Sequence, residues 1–94
     1  MGNSIDINEI RNIVVENNLI DIRDKYEFNL ERIPRAINVP YQYLLMNHES
    51  YLTKNMIYYL YCDNGINSKK LGMELSELGY KIVNLDGGYK NYLN

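Results

Sequence analysis

The chain's only cysteine, Cys62, opens the stretch Cys62-Asp63-Asn64-Gly65-Ile66-Asn67-Ser68. A cysteine is a nucleophile through its thiolate, so its chemistry depends on what surrounds it. Before it runs Met56-Ile57-Tyr58-Tyr59-Leu60-Tyr61, which is short, apolar and uncharged, the pattern of a buried strand. After it, Leu71, Leu75 and Leu78 fall on one helical face, with Ser68 as a candidate N-cap and Gly79 as a C-terminal stop. The pattern predicts a strand over 56–61, a loop over 62–68 and a helix over 69–78. Cys62 then sits at the carboxyl end of a strand, where ligands bind in open α/β sheets. Backbone N–H groups in such a loop point inward and hold an anion, helped by the helix dipole, and they favour thiolate over thiol. The same position also suits a small buried apolar residue, and position alone leaves both readings open.

The remaining elements must place this loop. Asp6 and Glu9 have capping-box spacing, and Ile7, Ile10, Ile13 and Val14 predict a helix over Ile7–Glu16, with Ile5 in a short first strand. Asn17-Asn18 ends that helix in a turn. Leu19–Ile22 reads as a strand whose Asp21 and following Arg23 lie at the end that faces the site. They are read as a structural ion pair or loop brace. Asp24 and Glu27 have cap spacing for a short helix over Lys25–Leu30, and Ile33-Pro34 ends it. Ala36–Val39 is a third strand, kept short by Pro40, and Tyr41–Met46 a helical turn. Residues 47–55 are polar and poorly periodic. Their His48, the only histidine, could form a Cys-His pair but is expected as a surface-loop residue. Tyr80–Leu85 is the last strand, Asp86-Gly87-Gly88 a tight turn and Tyr89–Leu93 a closing helical turn.

Composition narrows the classes. The 94 residues suit one small domain over 1–94, and 46% apolar content supports a single core. A net charge of −2 gives no overall basic field for nucleic acid and no polybasic anchor for a membrane. One cysteine allows neither an internal disulfide nor a Cys-only metal site, and it suits a reducing compartment. The stretch Met1–Asp6 lacks the basic and apolar regions of a signal peptide, and Asp6 stands where a myristoylation pattern wants Ser or Thr. With no stretch of membrane-spanning length, the expectation is a cytoplasmic monomer or weak dimer.

Four further blocks, in order, carry a resemblance. Leu19-Ile20-Asp21-Ile22-Arg23 resembles "lIDvR", and Tyr26-Glu27-Phe28 the acidic-aromatic turn after it. Ile33 to Pro40 resembles "IPgAinvP", and Gly79 to Tyr89 resembles "GY.v..l.GGy". With the Cys62 loop, these resemble the rhodanese-like sulfurtransferases over most of the chain. The resemblance implies a three-layer α/β fold with a small, mainly parallel five-stranded sheet flanked by helices. It implies transfer of a sulfane sulfur through a Cys62 persulfide, from a small donor such as thiosulfate or a persulfide to a thiol or cyanide. Asp63, Asn64, Gly65, Ile66, Asn67 and Ser68 would form the substrate-binding loop, with no metal or organic cofactor. Tyr92 stands where the family often has Trp and is expected in the core.

The chain also departs from the family. Glu31 and Arg35 replace two glycines of "GHIPGA", and Arg32 replaces its histidine, so any positive φ there costs more than in Gly. Arg32 and Arg35 are expected to be solvated. Asn67 stands where many sulfurtransferases have Arg, and Asp63 adds a negative charge beside the nucleophile. Lys69 and Lys70 either replace that Arg in part or form a solvated pair. Phosphatases of this fold resemble Cys-x5-Arg. Here Ser68 is the sixth residue after Cys62 and no Arg follows Arg35, which disfavours phosphate chemistry. A non-catalytic binding module and a redox sensor needing an outside thiol are the alternatives.

Overall fold

The computed structural model describes residues 3–93. In chain order the strands are β1 (Asn3–Asp6), β2 (Leu19–Asp21), β3 (Ile37–Asn38), β4 (Ile57–Tyr61) and β5 (Lys81–Asp86). The α-helices are α1 (Lys25–Leu30), α2 (Tyr41–Met46), α3 (His48–Tyr51) and α4 (Ile66–Glu77), with 3-10 helices at Ile7–Asn12 and Tyr89–Asn91. The sheet order is β1-β5-β4-β2-β3, and every neighbouring pair runs parallel. The expected five-stranded parallel α/β sheet is therefore present, with β4 at its centre.

Strand alternation divides the core in two. Leu60, Ile20 and Ile82 pack with Leu44, Leu71 and Leu75 on the side of α2 and α4. Tyr61, Leu19 and Leu85 pack with Ile7, Ile10 and Ile33 on the other side. A sheet buried on both faces needs strands without charge, and β4 supplies one. Because all strands run parallel, their carboxyl ends share one edge, and the Cys62 loop leaves from its middle.

Several boundaries differ from the sequence pattern for physical reasons. Asp6 does cap the first helix, accepting from the Asn8 N–H at 2.9 Å. That helix is a 3-10 turn, however, and it ends at Asn12 rather than Glu16. Ile13 is already extended, in keeping with the β preference of Ile13-Val14-Val15, and the bend buries Val15 while leaving Val14 79% exposed. β2 and β3 are each shorter than expected, and β5 is shifted one residue on. The expected turn at Asn17 uses a left-handed residue, φ 61°.

The polar stretch 47–55 contains α3, so His48 is a half-buried helical residue rather than a loop residue. Its Nδ1 lies 2.8 Å from the Tyr80 hydroxyl, just ahead of β5. That is the amino edge of the sheet, opposite Cys62, so His48 is no partner for the thiol. Tyr92 is half-buried against the second core, with Tyr89 stacked at 5.9 Å and Arg11 4.1 Å from its ring centroid.

Of the two positions where the family has glycine, Glu31 is extended at φ −155° but Arg35 adopts φ +72°. Left-handed backbone costs an ordinary residue about 1–2 kcal/mol, while glycine adds about 0.4–1 kcal/mol of unfolded-chain entropy. Arg35→Gly is therefore expected to stabilise the protein by about 0.5 kcal/mol, or roughly 2–4 °C in Tm. Urea and thermal unfolding check this; a loss of stability contradicts it.

Candidate active site

Cys62 follows β4 directly, and its loop is tied down by the chain's last turn. The Cys62 carbonyl accepts from the Tyr89 N–H at 2.8 Å, and the Asp63 carbonyl from the Lys90 N–H at 3.0 Å. This crossing depends on glycine twice. Gly88 has φ +69°, and a Cβ there would overlap the Asp63 and Asn64 backbone, 2.6 Å from the Asn64 nitrogen. Gly65 has φ +89°, and a Cβ there would lie 2.9 Å from the Gly87 nitrogen.

The helix begins earlier than the pattern suggested. Gly65, not Ser68, is the N-cap, and α4 starts at Ile66. The Asn64 side chain accepts from the Ile66 N–H at 3.0 Å and so starts the turn that Gly65 completes in left-handed geometry. Ser68 thereby moves inside the first turn, where it is fully buried.

That shift places Ser68 against the sulfur. Cys62 Sγ accepts from the Gly65 N–H at 3.2 Å and from the Ser68 N–H at 3.4 Å. The Ser68 hydroxyl lies 3.3 Å from Sγ, and Asn64 Oδ1 lies 3.9 Å away. Two of the five N–H groups over 64–68 thus reach the sulfur, and the Ile66 N–H is used by Asn64. Asp63, Asn64, Ile66 and Asn67 are exposed on the rim. Cys62 itself is 4% exposed and packs in the α4-side core. A sulfur at a helix N-terminus, met by two N–H groups and a hydroxyl, is a place for negative charge.

Asp21 and Arg23 brace the loop from the side. Arg23 pairs with Asp21 through two nitrogens at 2.8–3.1 Å and donates to the Glu31 carbonyl at 2.6 Å. The two side chains are 6% and 0% exposed. The Arg23 guanidinium lies 4.5 Å from the ring centroid of Tyr89, whose N–H holds Cys62. Burial pulls the guanidinium down, but the hydrogen bonds and charge of Asp21 leave it above its ordinary pKa. Burial and then the Asp21 charge hold the Tyr61 phenol well above its ordinary value. Arg32 instead closes α1 through the Phe28 carbonyl at 3.0 Å, and it is exposed, as is Arg35.

Lys69 and Lys70 are exposed and give no hydrogen bond to Sγ. With Ile66 and Met73 they line an open groove of about 570 Å³ that borders the loop, and Cys62 is not on its wall. Among the described residues, no cluster of His, Cys, Asp and Glu offers three ligands to a metal. No helix among them is long and apolar enough to cross a membrane.

One polar residue was missed in the sequence. Asn84 on β5 is 3% exposed, and its Nδ2 donates to Asp86 Oδ1 at 2.7 Å and to the Gly65 carbonyl at 3.5 Å. Both neighbours accept, so the nitrogen must face them. Its Oδ1 has no partner, a burial that costs about 1–3 kcal/mol. The signal was an amide inside the apolar run Ile82-Val83-Asn84-Leu85.

The fold and this loop define a known class. Residues 6–94 match the rhodanese-like domain family, and the chain belongs to it. YqhL, an uncharacterized protein of Bacillus subtilis, is 35% identical over 75 residues, which span 79% of this chain and 59% of that protein. A rhodanese-like domain protein from Staphylococcus aureus is 27% identical, with a TM-score of 0.86 over 98% of this chain and 92% of that one. Reduced Bacillus anthracis CoADR-RHD is 32% identical, with a TM-score of 0.82 over 95% of this chain and 16% of that one.

If the Gly88 crossing holds the loop, Gly88→Ala must push the Asp63 backbone away. The expected cost is about 1–3 kcal/mol or more, measured by urea unfolding, together with slower alkylation of Cys62. Unchanged values for both contradict the assigned role of the crossing.

Proposed function

We propose that the protein is a sulfurtransferase that carries sulfane sulfur on Cys62. The observation that supports this most is the convergence of the Gly65 and Ser68 N–H groups on a sulfur at the N-terminus of α4. The same donors serve a thiolate before the reaction and a charged persulfide after it.

In the first step the Cys62 thiolate attacks the donor's outer sulfur. A new S–S bond forms and the donor's S–S bond breaks. Sulfite from thiosulfate, or a thiolate from a persulfide, leaves with the electron pair. Cys62 then carries a persulfide, which Gly65 and Ser68 stabilise in place. In the second step cyanide or a thiolate attacks the terminal sulfur, takes it away, and returns the Cys62 thiolate. Splitting the transfer this way is nucleophilic catalysis. The chain's own residues supply the nucleophile and the fixed donors, and with Cys62 already ionised neither step needs a general base.

The rim sets donor choice. Asp63 is negative and Asn67 neutral, and both are exposed where a dianion must approach. Thiosulfate is therefore a poor donor, and a persulfide of lower charge a better one. Because Cys62 is 4% exposed, the donor must present its sulfur at a narrow end.

Two variants test this. Cys62→Ser is expected to abolish transfer from either donor while keeping the fold, checked by thiocyanate formation and circular dichroism; turnover in that variant overturns the mechanism. Asn67→Arg restores a charged contact worth about 1.5–3 kcal/mol, so kcat/KM for thiosulfate is expected to rise about ten-fold or more. An unchanged thiosulfate rate counts against the rim as the determinant of donor choice.

A further inference from the structure

We propose that Asn84 is a positioning residue for the Cys62 thiolate, holding the Gly65 carbonyl so that the Ser68 hydroxyl is free to turn onto the sulfur. The inference rests on Cys62 acting as a nucleophile. Three donors surround the Gly65 carbonyl: the Lys69 N–H at 3.2 Å, the Ser68 hydroxyl at 3.4 Å and Asn84 Nδ2 at 3.5 Å. The same Ser68 hydroxyl is 3.3 Å from Cys62 Sγ. A hydroxyl carries one proton and can serve one of these acceptors at a time.

In the thiol form the S–H proton points to the Ser68 oxygen, and the hydroxyl proton goes to the Gly65 carbonyl. When the thiol ionises, the sulfur becomes an acceptor only. The hydroxyl then turns to the sulfur and leaves the carbonyl. A carbonyl has two lone pairs, and the Lys69 N–H and the Asn84 amide fill both. The proton switch therefore strands no buried acceptor. Without Asn84 the ionised form leaves the Gly65 carbonyl short of a donor, and the thiol form does not. The penalty falls on the reactive state alone.

The placement of Asn84 supports this role. It pairs with Leu60 in the sheet register, on the strand beside β4, and so lies beneath the loop. Asp86 anchors its amide at 2.7 Å, while its own oxygen is left unpartnered. An apolar residue suits this buried strand position better unless the amide's N–H groups are needed.

The test reads the thiol itself, with no sulfur donor, so it is independent of the sulfurtransferase assignment. Alkylation of Cys62 by iodoacetamide is followed at pH 7 and pH 10. Asn84→Ala is expected to slow the pH 7 rate about five-fold, as loss of one hydrogen bond gives, while the pH 10 rate stays within about two-fold. Ser68→Ala is expected to act alike, and in the Asn84→Ala background it is expected to cost much less than alone, because one proton switch serves both. If Asn84→Ala does not fold, Asp86→Ala, which releases the anchored amide, is expected to slow the pH 7 rate selectively. Lower stability in urea with an unchanged rate ratio between the two pH values overturns the proposal, and so do losses that multiply independently in the double variant.

Discussion

Two backbone turns pass within van der Waals contact at the carboxyl edge of the sheet, and the site depends on that contact. Gly65 begins α4 and Gly88 precedes the final turn. Both have positive φ, and each has room for hydrogen only. The crossing fixes the Gly65 N–H at 3.2 Å from Cys62 Sγ and brings the Tyr89 N–H onto the Cys62 carbonyl. Donors held by such a contact need no reorganisation when charge appears on the sulfur, which is how preorganised sites act.

The rest of the fold keeps the two turns in register. β5 pairs with β4 and carries the second turn, so the sheet ladder sets the height of one turn against the other. On the other flank, the buried Asp21–Arg23 pair joins the end of β2 to the Glu31 carbonyl and the Tyr89 ring. A buried ion pair is weak evidence for stability by itself. Here its hydrogen bonds are filled on both sides and it joins three segments around one loop, which fits a positioning role.

The fold was largely legible because its elements carry strong local signals. The uncharged run before Cys62 marked the central strand, and the leucines after Ser68 marked α4. The blocks around Asp21, Pro34 and Gly87-Gly88 identified the family. Boundaries failed where a side-chain hydrogen bond or steric preference overrode the pattern. Asn64 starts α4 two residues before Ser68, and the β-branched run Ile13-Val14-Val15 stops the first helix early. The site was legible as a loop but not as a set of contacts. The sequence pattern treated the N–H groups of the 62–68 loop alike, whereas the backbone aims Gly65 and Ser68 at the sulfur and spends Ile66 on Asn64. Asn84 stood out only as an amide in an apolar run; its role was not legible because its partner Gly65 is remote in sequence and meets it only through the fold.

The proposed mechanism stands or falls with a transferable sulfur on Cys62. Intact mass of the reduced protein, measured after a low-molecular-weight persulfide donor and again after cyanide, tests it most directly. The expected result is a gain of one sulfur atom located on Cys62, its complete removal by cyanide, and weaker loading from thiosulfate than from the persulfide. Folded, reduced protein that gains no sulfur from either donor contradicts it.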